Sequence, residues 1–123
     1  MTTTITEREQ RHVGEAGWLR ACATEALEPG WGEAVLLGGR QVALFRTAEG
    51  EVYAAAHRDP RTGAYVMARG IVGSRGGRPT IASPLLKEVY DLETGECLGN
   101  PDLYLRTYRA RVVAGEVEVE LAA

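Results

Sequence analysis

The residues of this chain that could do chemistry are few, and their spacing fits no catalytic or metal-binding pattern. Ser83 lacks the Gly-x-Ser-x-Gly context of an activated serine, and the only histidines are His12 and His57. Neither Cys-x-x-Cys nor His-x-x-x-His spacing occurs, so the sequence shows no ligand set for zinc or iron. The Gly-x-x-x-x-Gly-Lys-Ser/Thr pattern of a phosphate-binding loop is missing too. The sequence therefore predicts no catalytic, cofactor-binding or metal-binding residues.

The two cysteines, Cys22 and Cys97, lie far apart and form no motif. In a reducing compartment both would stay thiols, and free thiols of this kind are usually buried as small hydrophobic residues. A disulfide or a redox role is the less favoured alternative.

Two short segments are notable for their spacing. Asp59-Pro60-Arg61 is followed, after a glycine-rich stretch, by Ser83-Pro84-Leu85-Leu86 and then by the turn sequence 90–95, Tyr-Asp-Leu-Glu-Thr-Gly. This order resembles a Rieske protein, in which a Cys-x-His pair and a Cys-x-x-His pair hold a [2Fe–2S] cluster. The four ligand positions are here occupied by Asp59, Arg61, Ser83 and Leu86. Neither arginine nor leucine ligates iron in such a cluster, so the resemblance implies a Rieske fold that has lost its cluster.

Without a metal, the two loops need other contacts to stay together, because metal binding often supplies folding energy. Asp59 and Arg61 are expected to pair with each other or with neighbours, and Ser83 to bond to a loop backbone group. The simpler alternative is that these are ordinary loop residues, since Asp-Pro is a common turn opener. His57 is interpreted as a loop residue at a strand end.

A longer series of segments occurs in a specific order and spacing: Gly39 to Arg46, Val52-Tyr53-Ala54, Asp59-Pro60, Arg69 to Gly73, Ser83-Pro84 and Tyr90 to Gly95. With this series, over about residues 17 to 121, the chain resembles the small subunit of the assimilatory NAD(P)H-dependent nitrite reductase. The resemblance implies an accessory subunit that binds the large subunit and supports the reduction of nitrite to ammonium. It also implies that FAD, a 4Fe–4S cluster and sirohaem all lie on the large subunit. The departures are Arg61, Tyr90 in place of the usual Phe, and an apparent insertion at 74–79.

The same two loops are the predicted surface for the partner protein. An arginine such as Arg69 could bind a partner's carboxylate in a bidentate way, although pairing within the domain is an equal alternative. Trp31 and Tyr65 lie in loop-like sequence and are weaker candidates for an exposed anchor, whereas most of the other aromatic residues are expected in the core. Two other functions stay open: an interaction module of a different oxidoreductase, and a [2Fe–2S] Rieske ferredoxin. The predicted contact residues are Asp59, Arg61, Arg69, Ser83 and Lys87.

The elements that would position these loops read as short antiparallel strands. Glycine turns at 38–39, 49–50 and 114–115 separate apolar segments, and residues 116–121 alternate strictly between glutamate and aliphatic side chains. Before the last of these turns, a strand is predicted from Tyr104 to Val113. The arginine-glycine stretch at 69–79 is interpreted as a hairpin tip with solvated charges rather than a nucleic-acid contact, and the weak helical signal at 24–27 is the only one. The predicted fold is all-β, a Rieske-like antiparallel sandwich or barrel of the iron–sulfur-protein type with two long loops.

Bulk properties limit the remaining classes. A length of 123 residues predicts a single domain at 15–123 with a flexible tail at 1–14. The net charge of −3 gives no field that would attract nucleic acid or an anionic membrane. No apolar run is long enough to span a bilayer, and the first ten residues lack the apolar stretch of a signal peptide. A cytoplasmic location is the simplest expectation.

Overall fold

The computed structural model describes residues 17–121, and strands dominate this part of the chain. Two single turns of 3-10 helix, Thr24–Ala26 and Met67–Arg69, are the only helical elements in this range. The predicted tail at 1–14 lies outside the described residues. The strands are β1 Trp18–Ala23, β2 Gly32–Leu37, β3 Arg40–Arg46, β4 Val52–Ala56, β5 Ile71–Arg75, β6 Arg78–Ala82, β7 Val89–Asp91, β8 Thr107–Val113 and β9 Glu116–Glu120.

These strands form two antiparallel sheets. The larger has the order β1-β9-β8-β4-β3-β2, and the smaller has the order β5-β6-β7. One core is formed by side chains of the larger sheet, such as Leu37, Leu44 and Val117. A second core, which includes Phe45 and Tyr90, packs the larger sheet against the smaller one. The all-β, Rieske-like prediction is confirmed. The second core includes Met67 and Ala68 of the loop that leads from the larger sheet to the smaller one.

The first predicted hairpin is formed as expected. Gly38 and Gly39 have φ values of +52° and +80°, which is the conformation of a type I′ turn. Residues without a Cβ reach this region most easily, so the Gly-Gly pair fixes the register of β2 against β3. Val35 accordingly pairs with Val42 across the hairpin.

The alternating pattern of β9 places its two side-chain sets on opposite faces. Val117 and Val119 are fully buried in the core. The glutamates pair with arginines of neighbouring strands, and Arg109 and Arg111 lie over the Trp18 ring, with the Arg111 guanidinium 4.0 Å from the ring centroid. The three pairs are Arg20–Glu116, Arg111–Glu118 and Arg109–Glu120.

Three local expectations need correction or sharper bounds. Strand β8 begins at Thr107 and not, as the sequence predicted, at Tyr104. The reason is that the Leu105 amide donates to the Gly95 carbonyl, which joins residues 104–105 to the turn at 92–95. Tyr104 is therefore exposed and not part of the core. The apparent insertion at 74–79 is the tip of the β5–β6 hairpin, with positive φ at Gly76 and Gly77. The weak helix signal at 24–27 is one 3-10 turn.

Among residues 17–121 there is no helix long and apolar enough to cross a membrane.

Candidate functional site

The candidate site consists of two loops, the first at residues 57–70 after β4 and the second at residues 83–88 after β6. The first loop turns at Asp59, whose Oδ1 accepts hydrogen bonds from the amides of Arg61 (2.8 Å) and Thr62 (3.3 Å). Aspartate commonly closes a turn onto its own downstream backbone in this way. The Asp59 carbonyl accepts from the Gly63 amide at 2.8 Å, and Gly63 takes the positive φ that closes the turn. The Asp-Pro sequence therefore determines the local shape of this loop.

The second loop is a turn closed on Ser83. The Ser83 carbonyl accepts from the Lys87 amide at 3.1 Å, and the Ser83 amide donates to the Glu88 carbonyl at 2.8 Å. The Ser83 hydroxyl oxygen also accepts from the Leu85 amide at 3.3 Å. Lys87 completes the turn with a φ of +59°, a left-handed conformation that is uncommon outside glycine.

One buried hydrogen bond joins the two loops. The Ser83 hydroxyl donates to Oδ2 of Asp59, and the two residues are only 2% and 1% exposed. A hydrogen bond to a carboxylate is stronger than a neutral one, and burial strengthens it further. In the resemblance, Asp59 and Ser83 stand where a Rieske protein has its two cysteine ligands. These two side chains are here bonded directly to each other. Asp59 binds the backbone amide of Arg61 and does not pair with its guanidinium.

Arg61 and Leu86, which stand at the two histidine positions of the resemblance, lie at the surface. Nη1 of Arg61 forms an ion pair with Oε2 of Glu88 at 2.8 Å, which is a second link between the loops. The Arg61 side chain is half exposed, so the pair contributes about 1 kcal/mol at most to stability. Leu86 is exposed and has no polar group to offer. The sequence did not reveal the Arg61–Glu88 pair, because its partners are separated by 27 positions.

The residues of these loops do not fit a [2Fe–2S] cluster. Asp59 and Ser83 are in hydrogen-bond contact, Leu86 has no donor atom, and Arg61 is a cation. The nearby His57 already uses Nδ1 to accept from the Ala68 amide at 3.1 Å. Within the described residues no three His, Cys, Asp or Glu side chains converge on a point that could hold a metal ion.

Both cysteines of the chain are free and buried. Burial raises the pKa of the Cys22 thiol to about 11, and burial also raises the pKa of Cys97. Neither thiol ionises readily at neutral pH, so neither is an activated nucleophile. The interpretation of Cys22 and Cys97 as small buried hydrophobic residues is confirmed.

His57 is a structural centre of the first loop. Its carbonyl accepts from the amides of Val66 (3.0 Å) and Met67 (2.9 Å), and its buried ring accepts from Ala68. Because Nδ1 accepts, the ring is neutral and carries its proton on Nε2. Burial, and secondarily the positive charge of Arg69, lowers the pKa of His57 below its usual 6.5.

This lowered pKa predicts a pH-dependent stability. Below pH 6.5 the unfolded chain binds a proton at His57 more readily than the folded protein, so the free energy of unfolding falls as the pH drops through the folded-state pKa. His57→Asn keeps an acceptor near Nδ1 but cannot titrate. Urea unfolding at several pH values between about 7.5 and 5 should show a smaller loss in the variant. Equal losses in the two proteins would contradict the role of His57.

Tyr90 replaces a phenylalanine of the resemblance and lies beneath the two loops. It is fully buried, and its hydroxyl has no hydrogen-bond partner among residues 17–121. Burial, with a further contribution from the negative charge of Asp59, raises the pKa of Tyr90 to about 12. The hydroxyl is thus neutral and buried without a partner, a situation that costs free energy.

Tyr90→Phe is therefore expected to leave stability unchanged or to raise it by about 1 kcal/mol, because the variant removes a buried group that forms no hydrogen bond. Tyr108→Phe is the matched control at a partly exposed tyrosine and should change nothing. Thermal unfolding of both variants checks this. A loss of stability confined to Tyr90→Phe would mean that the hydroxyl is bonded after all.

The outer surface of the site is apolar and basic. Two of the residues predicted as partner contacts, Asp59 and Ser83, are buried, while Arg61, Arg69 and Lys87 are exposed. Sequence reasoning missed Ile71 and Leu85 as exposed residues. Two adjacent leucines after a proline in a loop were the available signal for Leu85. The exposed apolar side chains of this end are Tyr65 (53%), Ile71 (65%), Leu85 (47%) and Leu86 (55%).

The fold, with its two antiparallel sheets and two linked loops, defines a Rieske-like domain. A sequence profile of the Rieske-like [2Fe-2S] domain matches residues 17–120. The chain is 35% identical to the nitrite reductase (NADH) small subunit of Salmonella typhimurium, over 83% of this chain and 95% of the relative. It belongs to the nitrite reductase small-subunit family.

Two further comparisons agree with this family. A crystal structure described as an NADH-dependent nitrite reductase small subunit, from Mycobacterium tuberculosis, is 48% identical with a TM-score of 0.82 and matches 86% of this chain and 96% of its own. A nitrite reductase [NAD(P)H] large subunit of Klebsiella oxytoca contains a region 34% identical to 83% of this chain, and that region is 11% of its length. In that protein a domain like this one is part of the same polypeptide as the large subunit.

Proposed function

We propose that this chain is the accessory subunit of a NAD(P)H-dependent nitrite reductase and takes no direct part in the chemistry. The observation that carries the proposal is the family relationship over nearly the whole of a small subunit, combined with cluster-ligand positions occupied by Asp59, Arg61, Ser83 and Leu86. The family points to nitrite reduction. The side chains at those positions point to a role other than electron transfer through an iron–sulfur centre.

The partner in this proposal is the large subunit of the same enzyme. The large subunit of Klebsiella oxytoca carries a similar domain within its own chain, which supports a domain that works in contact with the large subunit. A covalent link keeps two domains at a high effective concentration, whereas a separate subunit must be held by a binding surface.

The proposal assigns no cofactor to this chain. The nicotinamide, FAD, 4Fe–4S and sirohaem chemistry would all reside on the large subunit, as the family resemblance implies, and the small subunit would bind and organise it. A cytoplasmic location and a role in nitrate assimilation belong to the same proposal.

Co-expression with the large subunit of the same organism tests the proposal. A tag on this chain should co-purify the large subunit, and the separately purified chain should contain no iron. A chain that binds no large subunit would overturn the proposal and favour an interaction module of another oxidoreductase. Stoichiometric iron with the absorption spectrum of a [2Fe–2S] centre would favour a Rieske ferredoxin.

A further inference from the structure

The exposed apolar side chains of the two loops lie at one end of the domain. The Asp59–Ser83 hydrogen bond and the Arg61–Glu88 ion pair hold the two loops against each other. Ile71 joins the same end, because it pairs with Ala82, the residue that precedes Ser83. Tyr65 pairs with Arg58 next to Asp59. Tyr65, Ile71, Leu85 and Leu86 are named here the loop-end patch.

The loop-end patch has a basic rim. The two loops contain four cations and two acids, although the whole chain has a net charge of −3. Of the acids, Asp59 is buried against Ser83, and Glu88 is paired with Arg61. Within residues 17–121 no carboxylate forms an ion pair with Arg58, Arg69 or Lys87, which are all exposed. Their charges are therefore free to act on a partner.

We infer that the loop-end patch binds an acidic surface of the large subunit that has an apolar centre. This inference rests on the proposed function and specifies the partner's chemistry. Exposed aromatic and aliphatic side chains surrounded by charges have the composition of a protein-binding surface. Unpaired cations at the rim attract an acidic partner and fix its orientation, while the apolar centre supplies most of the affinity.

Charge argues against a second copy of this chain as the partner. A two-fold dimer through the patch would place the same surface on both sides, so that Arg69 and Lys87 of each copy would approach like charges. Such contacts are repulsive. An acidic partner instead neutralises them.

The rigid loops give the patch a preformed shape. Because the buried Asp59–Ser83 bond and the turn bonds at both residues define the backbone, little conformational freedom is lost on binding. Asp59 and Ser83 position the loop backbone that carries the patch, so they need not contact the partner themselves.

Two variants and two matched controls test the inference. Leu86→Asp changes the apolar centre, and Arg69→Glu with Lys87→Glu reverses two rim charges. Val113→Asp alters a comparably exposed aliphatic residue at the opposite end of β8, about 20 Å from the strand end beside the first loop. Arg75→Glu reverses an exposed arginine at the β5–β6 hairpin tip. All five positions are exposed, so the variants should fold, which thermal unfolding checks.

Binding of each variant to the purified large subunit is measured by titration calorimetry at low and high salt. We expect each patch variant to weaken binding at least about tenfold and each control to stay within about twofold. Salt should weaken the wild-type complex more than that of the charge-reversed variant, because exposed charges are screened.

Patch variants that bind like the wild type would overturn the inference and leave the proposed function intact. A wild-type chain with no affinity for the large subunit would overturn both. A wild-type dimer in gel filtration that Leu86→Asp converts to monomer would show that a second copy covers the patch, and would also overturn the inference.

Discussion

Asp59→Ala is expected to destabilise the protein by about 3 kcal/mol, because it removes the acceptor of three hydrogen bonds at once. The amides of Arg61 and Thr62 and the hydroxyl of Ser83 all donate to this carboxylate. A buried donor without a partner costs about 1–3 kcal/mol, and the losses overlap because the loop can relax. The measurement is the free energy of unfolding in urea, followed by tryptophan fluorescence.

Two further variants separate the contributions at this position. Asp59→Asn keeps an oxygen for the two amides and should cost clearly less than Asp59→Ala. Ser83→Ala leaves Oδ2 of the buried carboxylate without its donor and should therefore also be costly. The double variant should be less harmful than the sum of the two alanine substitutions, since they break the same bond. An Asp59→Ala protein as stable as the wild type would show that this bond does not hold the loops together.

Gly95→Ala is the second large effect, because the turn at 92–95 leaves no space for a methyl group. Gly95 has a φ of +86°, and a Cβ there would lie 2.1 Å from the Leu105 carbonyl oxygen. Backbone cannot move aside as a flexible side chain can, and the left-handed conformation adds its own strain. We expect a loss of about 3 kcal/mol or more, seen as a lower Tm and less folded protein on expression.

Gly115→Ala is the control for this prediction. Gly115 has a similar φ of +78°, but no atom lies within 4 Å of the added Cβ. Only the conformational strain remains, about 1 kcal/mol. If the two variants lose equal stability, the close approach of Gly95 to Leu105 has no energetic importance.

Local patterns predicted most of the fold correctly. The Gly38-Gly39 turn and the alternation of β9 depend on residues adjacent in sequence, so the sequence alone could reveal them. The prediction that a strand begins at Tyr104 is wrong, because strand-like composition says nothing of the bond that Leu105 makes to Gly95. That contact depends on two segments meeting in the folded protein.

The candidate site was predictable in position but not in its bonding. The spacing of Asp59, Arg61, Ser83 and Leu86 located both loops. Which side chains would bond across the loops depends on three-dimensional packing. The sequence predicts that the Ser83 hydroxyl bonds to a backbone group, and it does accept a hydrogen bond from the Leu85 amide. The hydroxyl also donates a hydrogen bond to Asp59, which lies 24 positions away in sequence. Ile71 was missed because exposure of an apolar residue is not visible in composition, whereas Leu85 was missed although two adjacent leucines follow Pro84 in this loop.

We propose that this chain supports nitrite reduction without a cluster, by binding the large subunit. The most direct test of this proposal is a titration of iron-free chain into purified large subunit, with NADH-dependent nitrite consumption as the readout. The rate should rise and reach a plateau near one chain per large subunit, and prior treatment of the chain with iron and sulfide should change nothing. A rate independent of the chain, or one that rises only after such treatment, would contradict it.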